Sequence, residues 1–367
     1  MRPRLAPALR ALLREGAEQA DAAGEVDREA LAALRASGLL ATAVPAAHGG
    51  TGQDAAAVNA LVEQIAAVNP SVAIIAFQHF AVSARIAEWG TPRQQERWLP
   101  RLADGTWLAA SAWSENGAGA DKQNLSTTAE RRTDGSWVLN GSKTFTTGAG
   151  VADVYLVLVR TAAPATAPAP GYGAAGQTFF LVGADNPGLV PDLGLELAGM
   201  RGSATGLVTL DRAVVTDDDR LGPEGEAASI IAGVRETGAS LGAVAVGTAQ
   251  AALDLAVAHA RGRGLMDLPA VRHRLADLAT RLEAARAVVE RAGARTSADP
   301  GLTTLHSKLH ATEAAEEICL DVARMLGSAG YRDGARIGRL LADARGVSLM
   351  GPTNDLCREL VAASWTG

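Results

Sequence analysis

From Trp107 to about Leu221 the chain runs in short stretches of β-branched and aromatic residues. On either side, apolar residues recur every three or four positions. A two-residue period builds a sheet and a three-to-four-residue period builds helices, so the pattern predicts an α+β chain in three blocks: an N-terminal helical domain over 1–106, a middle antiparallel β-domain over 107–224, and a C-terminal four-helix bundle over 225–367. In the first block, LAPALRALLREGAEQA and REALAALRASGLL each lay one apolar face against a core. A Gly-rich turn (44–54) leads into a helix expected from Ala55 to Val68, with Pro70 just past its end. Residues 71–88 are apolar and expected to be buried, and Thr91-Pro92 reads as a helix cap with proline in the first turn.

In the middle block the expected strands are LSTTAERR, SWVLNG, KTFTTG, VYLVLVR, QTFFLVG and GLVTLDRAVV. Asp134-Gly135 and Asn140-Gly141 are the hairpin signals between them, and an Ala/Pro/Gly segment (162–176) is a connecting loop. In the last block four long helices are expected, within 239–260, 271–293, 302–326 and 335–345, with Gly293 as the stop of the second.

Composition narrows the function. Apolar residues at 48% and charged residues at 20% suffice for a folded core, and 40 glycines with few aromatics predict closely packed helices. A net charge of −6, from 34 basic and 40 acidic residues, excludes a general nucleic-acid binder. Cys319 and Cys357 cannot build a disulfide framework or a four-ligand zinc site, which fits a reducing cytoplasm, and Cys319 reads as a small core hydrophobe. His306 and His310 have metal-ligand spacing but no third ligand, so no metal is expected. Arg10 and Arg14 interrupt the apolar start, so no secretory leader is expected. The uncharged stretch from Thr237 to Leu253 is rich in Gly, Ser, Thr and Gln and is closed by Asp254. It reads as a buried helix, and no membrane association is expected.

Three segments carry a resemblance. They are WSENGAGADKQNLSTTAERRTDGSWVLNGSKTFTTGAGVADVYLVLVRT (113–161), GMRGSATGLVTLDRAVVTDDDRLG (199–222) and LGAVAVGTAQAALDLAVAHARGRG (241–264). In order and spacing they resemble the acyl-CoA dehydrogenase family of flavoproteins across nearly the whole chain. The resemblance implies that the middle antiparallel β-domain is β-barrel-like, and that FAD is the cofactor, held between the β-domain and the C-terminal bundle, with part of the site supplied by a second subunit of a homodimer or homotetramer.

By the same resemblance, Trp113, Ser114 and Thr147 flank the flavin, Phe145 stacks on it, and the turn ending at Gly119 offers it backbone N–H groups. Arg263, Arg324, Gly327 and Thr353 match further cofactor contacts, while Gln78 and His79 match the acyl pocket. Three departures stand out. Ala120 replaces a serine that often binds the flavin phosphate, Met266-Asp267 replaces Phe-Gly, and Arg324 replaces a glutamine. The competing readings are ordinary ones: a solvated helix face for the two arginines and a satisfied core histidine for His79.

Oxidation of an acyl thioester needs a carboxylate to remove the α-proton while hydride leaves the β-carbon. The position that commonly carries it is Gly351, which has no side chain and is left as a substrate-facing position. Some branches carry the base instead at the start of the C-terminal domain, and Glu236, fourteen residues before Gln250, resembles the arrangement in prolyl-carrier-protein dehydrogenases. Glu236 is therefore the candidate base. Its alternative role is to pair with Arg235 or face water at a helix start.

The expected activity is FAD-dependent α,β-dehydrogenation of an acyl or aminoacyl thioester. The favoured substrate is tethered to a carrier protein, as in polyketide or antibiotic biosynthesis, ahead of a CoA ester. An electron-transfer flavoprotein or oxygen is the expected acceptor. The alternatives are a flavin-dependent oxygenase or N-oxygenase on the same fold, and a non-catalytic partner subunit.

Overall fold

The computed structural model describes residues 3–117, 124–162 and 175–365. Five helices come first: α1 (Pro7–Ala23), α2 (Arg28–Ala36), α3 (Ala55–Ala66), α4 (Pro70–Trp89) and α5 (Pro92–Ala103). Their starts are set by local chemistry. Asp27, Asp54 and Asn69 accept backbone N–H bonds at the N-caps of α2, α3 and α4, and Thr91 and Gln94 form a reciprocal capping box on α5. Pro70 lies just past the end of α3, as expected. It occupies the first turn of α4, where its missing N–H leaves no bond unmade, and the apolar stretch 71–88 is that helix.

The strands are β1 (Ala109–Ala112), β2 (Thr128–Arg131), β3 (Trp137–Thr146), β4 (Val154–Arg160), β5 (Gln177–Gly183), β6 (Leu189–Asp192), β7 (Gly206–Val215) and β8 (Arg220–Leu221). They form one sheet in the order β6-β7-β3-β2-β4-β5-β8, with β1 added alongside β4. Most pairs are antiparallel, but β1 and β2 each pair with β4 in parallel, so the sheet is not purely antiparallel. Both faces of β4 are covered. Leu156 and Leu158 pack with α4 and α5 residues such as Ile86 and Leu99, whereas Tyr155, Val157 and Val159 pack with Trp137 and Phe180. That is why β4 reads as an unbroken apolar run.

Asp134-Gly135 makes the expected turn between β2 and β3. Asn140-Gly141 does not: β3 continues through it, and the pairing with β7 shifts register between Leu139 and Gly141. A Cβ at residue 141 would lie 2.7 Å from Thr127 Cα, and the Asn140 side chain accepts the Arg212 N–H at 3.0 Å. The dipeptide encodes a bulge where a neighbouring backbone approaches closely.

The C-terminal part comprises α6 (Ala227–Glu236), α7 (Gly242–Gly262), α8 (Pro269–Ala294), α9 (Pro300–Leu326), α10 (Ser328–Tyr331), α11 (Arg336–Leu349) and α12 (Asn354–Ala363). The four long helices α7, α8, α9 and α11 pack on one another, and α3 closes over α7 and α8. Gly293 does not end α8; Arg295, at φ 52°, caps it. A Cβ at 293 would meet Ala56 Cα at 2.8 Å, so the glycine admits α3. Two helices, α4 and α7, are long and apolar enough to cross a membrane by length and composition; 72% and 67% of their apolar windows are buried inside the fold.

One buried carboxyl ties this bundle to the β-domain. Asp343 of α11 accepts the Met200 N–H, with Asp21 of α1 and Arg339 of α11 as its charged neighbours. Burial pushes it up to about 7 from 3.8, the Met200 bond and Arg339 opposing and Asp21 adding to the rise. The folded chain therefore holds a proton that the unfolded chain releases between those pH values, and stability contributed below pH 4 is lost as pH rises to 7. Asp343→Asn, which keeps the acceptor, is expected to flatten that part of the Tm-versus-pH curve.

Candidate active site

The β-domain side of the site lies where β1 runs out against β3. The Thr144 N–H donates to the Ser114 carbonyl at 2.9 Å, setting the residues after β1 beside the end of β3. Trp113 packs its ring on Phe179 at 5.0 Å, and its buried indole N–H has no partner among the described residues. Glu115 is buried and accepts the Ser126 N–H at 2.6 Å, the Thr127 N–H at 3.1 Å and the Lys143 ammonium at 2.7 Å. Burial alone would raise this carboxyl, but Lys143 and the hydrogen bonds outweigh it and hold it at about 2. The ion pair thus joins the residue after Ser114 to the residue two before Phe145.

Phe145 is 61% exposed and sits at φ 50°, a left-handed backbone that an aromatic residue adopts only at a cost of about 1–3 kcal/mol. An apolar ring displayed on strained backbone fits a surface meant to be covered by another flat group. Thr147, two residues on, links its hydroxyl to Thr205 at 3.2 Å, and Thr205 in turn to Ser203 at 2.7 Å. Trp113, Ser114, Phe145 and Thr147 therefore share one strand-end region. Gly119 and Ala120 lie outside the described residues.

The C-terminal side is organised by α9. Glu236 is the last residue of α6, not a residue of a helix start as expected, so the positive end of its own helix does not favour its charge. Its side chain is 46% exposed, 3.5 Å from Arg235, and turned onto the first turn of α9, where a Cβ on Gly301 would lie 2.1 Å from Oε1. Glycine at 301 makes room for this carboxylate. Lys308 lies seven residues further along α9, on the same face and about 10 Å up the helix. It donates to the Ser348 carbonyl at 3.0 Å and to the Asn354 side chain at 2.6 Å. Between those two residues run the exposed Gly351 and the half-buried Thr353, whose hydroxyl caps α12 by accepting the Leu356 N–H at 3.3 Å. Glu236 and the 349–353 segment are thus served by one face of one helix.

The remaining sites are elsewhere. Arg263 is exposed at the end of α7, and Arg324 is exposed in the last turn of α9, where it pairs with Asp321 at 3.1 Å and is followed by Gly327 at the helix cap. Gln78 is half-buried on α4. His79 is not a pocket residue. It is fully buried, with Nε2 3.3 Å from the Leu40 carbonyl and Nδ1 accepting the Ala109 N–H at 3.4 Å. Burial pulls it down to about 4, so it is a neutral core group that fixes β1 to α4. Sequence reading also missed the Glu115–Lys143 pair, whose one clue is a lone lysine inside the strand run SKTFTT.

This order of helical, β and helical domains is that of a flavin-dependent oxidoreductase acting on acyl thioesters. The sequence matches the N-terminal, middle and C-terminal domains of acyl-CoA dehydrogenases over residues 5–106, 110–213 and 228–366. The chain belongs to the acyl-CoA dehydrogenase family. It is 32% identical over 334 residues to an acyl-CoA dehydrogenase of Bacillus subtilis, covering 89% of this chain and 86% of that one. It is 30% identical over 337 residues to the L-prolyl-[peptidyl-carrier protein] dehydrogenase of Pseudomonas fluorescens, covering 89% and 87%. The butyryl-CoA dehydrogenase structure from Megasphaera elsdenii superposes with a TM-score of 0.85 at 25% identity, covering both chains fully. Members of the family are FAD-dependent, and the residues here fit that cofactor: Phe145 offers an uncovered ring, with the Ser114 and Thr147 side chains in the same strand-end region.

Proposed function

We propose that this chain dehydrogenates an acyl or aminoacyl thioester carried on a carrier protein, with Glu236 as the base. The observation that carries the reading is the lodging of the Glu236 carboxylate against Gly301, on the α9 face that also anchors the segment bearing Gly351 and Thr353. FAD, when bound, supplies the two-electron oxidant that accepts the β-hydride. Glu236 takes the α-proton, leaving a double bond between the two carbons. Phe145, Thr147 and Thr353 would hold the cofactor, the phenylalanine ring by stacking and the two hydroxyls by hydrogen bonding. Gly351, with no side chain, leaves the space beside the α-carbon open to the substrate.

Gly301 and Arg324 are 23 residues apart on α9, which places them about 35 Å apart along the axis. A cofactor beside Glu236 is too short to reach the Arg324 of its own chain, which supports a homodimer or homotetramer in which a second copy supplies Arg263, Arg324 and Gly327. Similarity to the prolyl-carrier-protein enzyme supports the tethered substrate, and the family supports an electron-transfer flavoprotein, or oxygen, as acceptor.

Anaerobic flavin bleaching with matched carrier-protein and CoA thioesters tests the substrate. Faster bleaching by acyl or aminoacyl carrier proteins is expected; bleaching by CoA esters alone would overturn the carrier-protein assignment.

A further inference from the structure

Of the 34 basic residues in the chain only three are lysines, Lys122, Lys143 and Lys308. Lys143 and Lys308 have almost no exposure, and each ties together backbone segments next to proposed cofactor contacts. In a chain that uses arginine nearly everywhere, these two buried positions carry a compact three-donor ammonium in place of a planar guanidinium. Lys143 holds the strand ends of Ser114 and Phe145. Lys308 has no counterpart in the chemistry described so far.

Its ammonium donates to the Ser348 carbonyl at the end of α11 and to the Asn354 side chain at the start of α12. The Asn354 amide donates in turn to the Thr312 hydroxyl at 3.0 Å, one turn along α9 from Lys308. One buried cation therefore fastens both ends of the five residues 349–353, and it does so from the helix that also receives Glu236. Closing both ends of a short loop on one point removes most of its conformational freedom.

We infer that Lys308 is a positioning residue that fixes the 349–353 segment, and so sets the placement of Thr353 against the cofactor. The inference rests on the proposed FAD site. Burial lowers Lys308 to about 8, with Arg358 of α12 acting the same way and Cys357 and Asp355 of α12 and Glu316 of α9 opposing. The clamp should therefore weaken under mildly alkaline conditions, when an ammonium with three donors becomes an amine with two.

The test compares wild type with Lys308→Met, which keeps the buried stem, and with Asn354→Ala, which removes one anchor without touching the lysine. Hydrogen exchange of apoprotein and holoprotein is read at the Leu356 and Cys357 amides, both of which bond to Thr353. FAD affinity is measured by titrating apoprotein between pH 6.5 and pH 9. Both variants are expected to exchange faster at these amides and to bind FAD about tenfold more weakly, the effect of losing one or two ordering bonds. Wild-type affinity is expected to fall above pH 8, and that of Lys308→Met to stay flat. Unchanged local exchange and FAD affinity in folded variants would overturn the inference. Failure of wild type to bind FAD would instead remove the cofactor reading, leaving the exchange result as the measure of the clamp.

Discussion

Glu236→Gln is expected to slow anaerobic bleaching of the flavin by an acyl thioester by about 10²–10⁴-fold, the range for removal of a positioned general base. FAD binding and Tm should hardly move. The glutamine has the same shape, fits the same space beside Gly301, and gives up only a half-exposed contact with Arg235. Stopped-flow absorbance with wild type and variant reads the effect. Bleaching at the wild-type rate would mean that another group removes the α-proton and would overturn the assignment of Glu236; no bleaching of wild type by any thioester would favour oxygenase chemistry on the same fold.

The largest loss of stability is expected from Lys143→Met. The side chain is fully buried, and removing it leaves Glu115 with the Ser126 and Thr127 N–H groups and the Ser126 hydroxyl but without its ammonium partner. Breaking a buried ion pair on one side costs about 3–5 kcal/mol, readable as a lower denaturation midpoint in urea. Glu115→Gln/Lys143→Met should recover part of it, because the amide leaves no charge to bury. The same pair sets an acid limb. Glu115 is held at about 2 against an ordinary 4.5, so its contribution of about 3 kcal/mol is present above pH 4.5 and is lost as pH falls toward 2. Glu115→Gln should flatten that limb. A Lys143→Met midpoint equal to wild type would mean the pair contributes nothing to the fold.

What the sequence revealed depended on range. Periodicity located the helices and most strands, because amphipathic spacing is a local property; β7 falls on the run GLVTLDRAVV over residues 206–215. The short strands β1 and β6, four residues each, are too brief to carry a pattern. Asn140-Gly141 and Gly293 were misread because glycine serves two purposes, turning the chain and admitting a neighbour, and only the neighbour's position decides which. His79 has no sequence mark of being satisfied, since its partners lie at Leu40 and Ala109. Glu115 and Lys143 are 28 residues apart, and their pairing is invisible without the sheet. The candidate base was legible as a residue but not in its setting. Nothing local distinguishes the end of α6 from the start of α7, because Gly238 and Ser240 between them could belong to either.

Proton exchange at the α-carbon probes the role of Glu236 without requiring turnover. A thioester bearing sulfur at the β-position cannot lose a β-hydride but keeps an acidic α-hydrogen. Incubated with the holoenzyme in D2O, as both carrier-protein and CoA forms, it is expected to take up α-deuterium with wild type and to take up none above background with Glu236→Gln. Undiminished uptake with Glu236→Gln would contradict the assignment and require another base.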